Sequence, residues 1–304
     1  MCSNRLREEI KANLAGQVLF DEPLSRHTSW KVGGPAEILV TPVSIDDLRT
    51  AVLIAWKNNV PVTILGNGTN VLVADRGVEG LTIKMRGLRN WDVSGERITA
   101  EAGVNLPELS RIAQGHNLSG LEFAAGIPAS VGGAVVSNAG AHGSSMQDIV
   151  RSVLVMDYQG ALHTFAGSEL GFGYRSSMFR DGRFIVLQSV MDLEPMPGEQ
   201  VKEKMQHYLG VRSRTQPVES ATAGSVFVNP ASVPAGLLIE KAGLKGAREG
   251  GAQVSHKHAN FIVNADNATA SDIVRLIRRI QEQVYSMFGI KLETEIRFLG
   301  GEVP

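Results

Sequence analysis

The chain has 304 residues, 43% hydrophobic and 20% charged, with 30 Lys+Arg against 31 Asp+Glu and a net charge of −1. That balance excludes a surface field of one sign, and with it an unselective nucleic-acid binder. Its single cysteine, Cys2, excludes an intrachain disulfide, a thiolate zinc site and a CxxC redox pair.

The length suits about two ordinary domains. No stretch approaches the ~20 apolar residues of a membrane span, and the charged N-terminus MCSNRLREEIKANL lacks an apolar signal core. A soluble cytoplasmic protein with no membrane association is expected.

Residues 3–15 read as a short helix and Ala36–Thr41 as a strand. Ser44 is placed to cap a helix with Asp47 in its first turn, and Leu48, Ala51, Val52 and Ala55 form its apolar face. Pro61 follows its end and Val62–Leu65 is a strand, so the chain opens as an α/β layer. Further short strands are expected at Val71–Val73, Leu81–Met85 and Arg97–Glu101. Asn105 caps the next helix, with Pro107 in its first turn and Gly115 as its stop. Strands Val153–Asp157, Leu162–Phe165 and Phe184–Val190 follow. Pro195–Gly198 reads as a linker into a helix of about 15 residues. The strongest helix puts Ile273, Leu276, Ile277, Ile280, Val284 and Met287 on one face and stops at Gly289. Leu292–Leu299 closes the chain as a strand.

The stretch Gly120–Gly143, GLEFAAGIPASVGGAVVSNAGAHG, holds six glycines among small residues. It has few side chains to pack as helix or strand but many bare backbone N–H groups. Such a run either needs its glycines for turns or lets backbone approach a phosphate-bearing ligand, and the density favours the ligand. A second glycine loop, LGNGTN at Leu65–Asn70, follows a strand. A Rossmann fingerprint would need a third glycine and then a helix. Here Val71 stands at that position and VLVADRGVEG reads as strand and turn, so the two loops together point to a dinucleotide site of another architecture.

These two loops, with HTSWKVGGPA, YRSSMF, AGSVFVNP and LETEIRFLG in this order, resemble the UDP-N-acetylenolpyruvoylglucosamine reductase family across about residues 24–300. The resemblance implies an α+β chain. Its FAD-binding part would have the PCMH or vanillyl-alcohol-oxidase-type fold of two subdomains, residues 1–65 and 66–198. A C-terminal α+β substrate domain, 199–289, would follow, and the last strand, about 290–304, would rejoin the first subdomain. It further implies non-covalent FAD, reduction by NADPH, and conversion of UDP-GlcNAc-enolpyruvate to UDP-N-acetylmuramate in peptidoglycan precursor synthesis. No obligate protein partner and no metal site are expected. The cofactor would lie on Leu65, Gly66, Asn67, Gly68, Thr69, Asn70 and Val71. The second loop would add Gly126, Ile127, Pro128, Ala129, Ser130, Gly132, Gly133, Ala134, Asn138 and Gly140.

The implied chemistry adds hydride to the β-carbon of the enolpyruvyl group, so negative charge develops at the α-carbon and its carboxylate. Arg175 matches the family's catalytic arginine, Ser225 its proton donor and Glu295 its catalytic glutamate. Tyr174, Asn229 and His258 are expected at the substrate. On a strand Glu293, Glu295 and Arg297 share one face. Arg212 and Arg214 fit either a nucleotide contact or a solvated helix end. His256 and His258 share a strand face without further metal-ligating residues nearby. Val228 replaces the basic residue usual before the Asn-Pro pair, and Ala129, Ser137 and Thr69 replace the usual Gly, Met and Ser. The short MFRDGR after Ser177 places the chain in the family's form without a substrate-capping insertion. Another flavin oxidoreductase of the same superfamily, and an idle UDP-sugar or FAD-binding regulator, are the competing readings.

Overall fold

The computed structural model describes residues 2–231 and 233–301. The terminal residues of the expected closing strand, 302–304, lie outside them. Two compact units form. The first comprises residues 1–20, 38–67 and 80–211, and the second comprises 21–37, 68–79 and 212–304. This grouping follows spatial contact, and it differs from the three-part division that chain order suggests.

The helices in chain order are α1 (Asn4–Asn13), α2 (Ile45–Lys57), α3 (Leu106–Gly115), α4 (Val131–Val136), α5 (Gly198–Thr215), α6 (Ala235–Lys241) and α7 (Ala270–Phe288). Their starts follow local chemistry. Ser44 Oγ accepts the Asp47 N–H at 3.1 Å to begin α2, and Asn105 Oδ1 accepts the Glu108 N–H to begin α3. Thr269 and Asp272 form a reciprocal capping box on α7, which Gly289 ends in the left-handed conformation.

A four-stranded sheet runs in the order Gln17–Pro23, Pro35–Thr41, Val78–Lys84, Val62–Leu65. Its last pair is parallel, with Leu65 opposite Lys84. Ile38, Val40, Leu81 and Ile83 bury one side with Leu48, Val52 and Ala55 of α2. An antiparallel sheet of five strands has the order Leu162–Ala166, Val150–Met156, Ile185–Asp192, Arg97–Glu101, Trp91–Ser94.

The glycine-rich run is not all loop. Six of its residues, VGGAVV, form α4, capped by Ser130, whose Oγ accepts the Gly133 N–H at 3.3 Å. Two adjacent glycines oppose a helix by about 1 kcal/mol each. Packing overrides that preference. A Cβ on Gly132 would stand 2.7 Å from Ala102 Cβ, and Gly132 N–H donates to Ala102 O at 2.9 Å. Only a bare backbone lets α4 sit this close.

In the second unit, α7 buries Ile273, Leu276, Ile277, Ile280 and Val284 completely. Met287, expected on the same face, is 54% exposed. Phe288 packs on the core in its place, because one turn beyond Val284 the apolar stripe has drifted around the helix. Of Leu292–Leu299, only Arg297–Leu299 is strand, and it pairs in parallel with Val71–Val73. The sequence grouping set this closing strand beside residues 1–65; its hydrogen-bonded partner is instead the strand after the first glycine loop.

Asp75 caps α7 from a distant loop. Its carboxylate accepts the N–H groups of Ala270 and Ser271 and the Ser271 hydroxyl. Burial pushes its pKa up, but these three hydrogen bonds outweigh it and hold the carboxyl below its ordinary value of 3.8. The folded chain therefore takes up this proton at lower pH than the unfolded chain. The stabilisation is complete above about pH 5 and is lost as pH falls through the native value. Melting temperature followed from about pH 5 to about pH 3 should fall less in Asp75→Asn than in the unaltered chain. Equal slopes would show that the cap contributes nothing.

Candidate flavin and substrate site

Within the first unit the start of the first glycine loop, Leu65–Asn67, meets the second loop. An added Cβ on Gly66 would stand 2.7 Å from Ser130 Oγ, so glycine is what allows the first loop to lie against the second. Asn67 Nδ2 donates to Pro128 O at 3.2 Å. The second loop is fastened to the chain leading into α3 by Val131 N–H to Val104 O and Leu106 N–H to Ala129 O, each 2.9 Å. Ala129 donates its N–H to Ile127 O at 2.8 Å and does not have a positive φ. Its methyl packs against the core, so the substitution for glycine fits without displacing the loop. The one acidic residue of the run, Glu122, is structural: it accepts from Ser119 Oγ and Gly120 N–H, each at 2.7 Å.

Among the described residues, no acceptor takes the N–H groups of Gly66, Asn67, Gly68, Thr69, Asn70 or Gly126. A row of uncommitted amides at the end of a strand is a nest for an anion. Gly68 is required for its shape: φ is +69°, and a Cβ would stand 2.1 Å from His27 O.

Arg175 also belongs to the first unit. Tyr174 and Arg175 form the corners of a turn closed by reciprocal bonds between Gly173 and Ser176, at 3.0 and 3.1 Å. Arg175 has φ +54°, unusual for a side chain of its size. Its Nη2 donates to Gly140 O at 3.0 Å, and its guanidinium lies 5.1 Å from the Tyr174 ring centroid. Tyr174 itself is 61% exposed. No insertion follows the turn: a single 3-10 turn, Met178–Asp181, leads to strand Ile185–Asp192.

Ser225 and Glu295 belong to the second unit, which brings them together. Glu295 N–H donates to Val226 O at 2.8 Å, and Val228 N–H donates to Glu293 O at 2.9 Å. This register runs the two segments antiparallel, with Val226 opposite Glu295 and Ser225 one residue before it; Gly224, at φ +78°, precedes the serine. Asn70 closes the same corner: its carbonyl accepts Arg297 N–H at 3.0 Å, and its Nδ2 donates to Glu295 O at 3.4 Å. Thus the end of the first glycine loop and the glutamate share hydrogen bonds.

The remaining expected residues divide. Asn229 Oδ1 accepts the Ala235 N–H at 3.0 Å and so fixes the start of α6. Val228 is half-buried with its N–H engaged. His258 Nδ1 accepts the Asn260 N–H at 3.2 Å, and its ring packs edge-on against Phe261. Burial, assisted by the Lys245 charge, lowers its pKa, so near neutrality it is an uncharged imidazole carrying its proton on Nε2. Arg212 is half-buried and Arg214 exposed. Burial pulls the Arg212 guanidinium below its ordinary value, yet an arginine stays charged. Among the described residues, no three His, Cys, Asp or Glu cluster as metal ligands.

Sequence reading missed a cavity of about 880 Å³ in the first unit. Lys84, Arg86, Arg89 and Arg111 line it against one carboxylate, Glu108, and Asn67 of the first glycine loop forms part of its wall. The cations come from a strand end, the turn after it and α3, so no compact motif announces them. The spacing in KMRGLR is the only trace in the sequence.

Comparison with known proteins places this geometry. Residues 36–166 match the FAD binding domain, and residues 216–299 match the C-terminal domain of UDP-N-acetylenolpyruvoylglucosamine reductase. Fold and loops together define an FAD-binding protein of the PCMH or vanillyl-alcohol-oxidase type. The chain is 42% identical over 297 residues to UDP-N-acetylenolpyruvoylglucosamine reductase of Carboxydothermus hydrogenoformans, covering 97% of this chain and 98% of that protein. It is 43% identical to the reductase of Caldanaerobacter subterraneus, covering 98% of this chain and 97% of that protein. The crystal structure of the Thermus caldophilus reductase superposes with a TM-score of 0.81 at 37% identity, over 94% of this chain and 99% of that one. The chain belongs to the UDP-N-acetylenolpyruvoylglucosamine reductase family.

FAD fits these residues: the amide row is a donor set for a pyrophosphate, and Gly66 and Gly68 allow the loop that presents it to pack against Ser130 and His27. Gly68→Ala should lower FAD affinity at least about tenfold, because a Cβ there meets the His27 carbonyl and must shift the amide row, while the helix and strand content stays as in the unaltered chain. Flavin absorbance per protein and far-ultraviolet circular dichroism read the two effects separately. Full flavin content in the variant would contradict the assignment.

Proposed function

We propose that this protein uses NADPH to reduce the enolpyruvyl ether of UDP-GlcNAc-enolpyruvate to the lactyl ether of UDP-N-acetylmuramate, a step in making peptidoglycan precursors. The observation that carries the reading is the family match together with the main-chain bond from Glu295 N–H to Val226 O, which runs the Glu295 segment alongside the Ser225 segment. Substrates of this kind are soluble metabolites, and the cytoplasm is the compartment that holds them. No obligate protein partner enters the reading.

FAD, when bound, supplies the two-electron chemistry between NADPH and the enolpyruvyl group. Its pyrophosphate would rest on the amides of Gly66 to Asn70, with Leu65 and Val71 flanking them; Gly126 to Ala134 are the second loop's candidates for the cofactor. The basic cavity beside Asn67 would take the adenosine end, with Arg86 and Arg89 as candidate phosphate partners. Arg175 holds the substrate carboxylate with a planar, permanently charged fork, and meets the negative charge that develops at the α-carbon. Ser225 holds the proton that the α-carbon receives. A serine hydroxyl is a weak acid, so it requires a polarised setting and a relay; Glu295, on the adjoining segment, provides that setting. Tyr174, Asn229 and neutral His258 would border the substrate, His258 offering Nε2–H as a donor. Val228 leaves that position without a charged contact, so the phosphates must rely on other cations.

The purified protein should carry a flavin spectrum and oxidise NADPH faster when UDP-GlcNAc-enolpyruvate is added. Absence of flavin would overturn the reading. Flavin without substrate-dependent oxidation would point to a different oxidoreductase of the superfamily or an idle binding protein. In Ser225→Ala, flavin reduction by NADPH should keep its rate, while reoxidation by the substrate slows by about 100-fold or more, the usual scale for loss of a positioned acid. Equal slowing of both halves would remove Ser225 as proton donor.

A further inference from the structure

Asn138 sits in the glycine-rich run, yet its polar groups face the protein. It is 3% exposed and holds φ +42°, a left-handed conformation that asparagine tolerates. Its N–H donates to Val135 O at 3.2 Å. Its side-chain Nδ2 donates to Gly173 O at 2.8 Å and to Gln147 Oε1 at 3.0 Å, and its Oδ1 accepts the Gln147 N–H at 3.0 Å. These bonds use both amide hydrogens and engage the amide oxygen, so little of the side chain is left for a cofactor.

Gly173 is the first residue of the turn whose second corner is Arg175. Three bonds join the run to this turn in step. Val136 O accepts from Ser177 Oγ at 2.9 Å, Asn138 Nδ2 donates to Gly173 O, and Gly140 O accepts from Arg175 Nη2 at 3.0 Å. From the far side, the Arg180 guanidinium donates to the Arg175 carbonyl. Arg175 in a left-handed conformation is held there by its surroundings. Of the three rungs, only that of Asn138 uses a side chain from the run, so it alone can be removed by substitution there without touching Arg175 or Ser177.

We propose that Asn138 is a positioning residue for Arg175: it ties the turn that carries the guanidinium to the segment that follows the flavin cradle. The proposal rests on the reading that Arg175 meets the substrate carboxylate. It acts in the substrate half of the cycle and leaves flavin affinity unaffected.

Asn138→Asp keeps an acceptor for the Gln147 N–H and a residue that tolerates positive φ, but replaces the donor to Gly173 O. Gln147→Ala, at an exposed position, removes one orienting bond from Asn138 and serves as a milder variant that should fold normally. Flavin content, the two half-reactions and amide hydrogen exchange over residues 172–177 are measured in both. For Asn138→Asp, flavin content should stay as in the unaltered chain, and reduction by NADPH should keep its rate. Reoxidation by UDP-GlcNAc-enolpyruvate should slow by about 10- to 100-fold, the scale of a displaced positioning group. Exchange at Gly173 and Ser176 should quicken, and Gln147→Ala should move the same readouts less. In an Arg175→Lys background, Asn138→Asp should add little further loss, as expected for residues acting through one another.

Loss of flavin in step with rate would overturn the proposal, as would full multiplication of the two losses or an unchanged reoxidation rate. If the unaltered protein fails to turn over the substrate, the functional reading fails, and hydrogen exchange still decides this one. Faster exchange over 172–177 in Asn138→Asp supports the tie, and unchanged exchange overturns it.

Discussion

The architecture turns on a row of backbone amides that the fold leaves without acceptors. Buried N–H groups are almost always paired, and among the described residues five amides in succession, Gly66 to Asn70, have no protein acceptor, a donor set suited to an anion. Glycine makes the loop: Gly66 allows contact with Ser130, and Gly68 supplies a left-handed turn against the His27 carbonyl. The anion that completes the row is the pyrophosphate of FAD in the reading developed above. A cavity lined by four cations adjoins Asn67, where the rest of such a ligand must go.

Within each unit, short chains of hydrogen bonds fix the residues of the proposed chemistry. In the second unit, Asn70 binds the main chain on either side of Ile296, at Glu295 O and Arg297 N–H, and Glu295 N–H in turn donates to Val226 O, next to Ser225. In the first, the segment after α4 holds the turn of Arg175 through Val136, Asn138 and Gly140. A side chain that must meet developing charge gains most when its position is set before the substrate arrives. The left-handed backbone of Arg175, fixed by its neighbours, is what such a device looks like in a turn.

Much of this was legible in the sequence, and the rest has identifiable physical reasons. Ser44, Asn105 and Gly289 act at helix ends as their chemistry dictates, because caps are local. Helix α4 was not legible. Its two glycines argue against a helix, and what reverses the preference is the close approach to Ala102, a long-range fact. Met287 was placed on the buried face by periodicity, but a 3.6-residue stripe carries Phe288 into the core instead. The neighbourhood of Ser225 and Glu295 depends on a register between segments far apart in the chain, which residue types alone do not set. The motif resemblance supplied both residues as candidates; the geometry supplied the main-chain pairing of their segments. Asn138 shows the converse. The resemblance placed it at the cofactor, and its hydrogen bonds turn it toward Arg175. Three of the basic cavity's four cations stand in KMRGLR and the fourth, Arg111, comes from α3, so residue types alone did not announce that they share one cavity.

The central claim is that the uncommitted amides are the seat of the flavin's phosphates. Residue-resolved hydrogen exchange with and without FAD tests it most directly. Loading should slow exchange at Gly66, Asn67, Gly68, Thr69 and Asn70. It should change little at Gly132 and Ala134, whose N–H groups already donate to Ala102 O and Ser130 O. FAD that binds without protecting any amide from Gly66 to Asn70 would contradict the account.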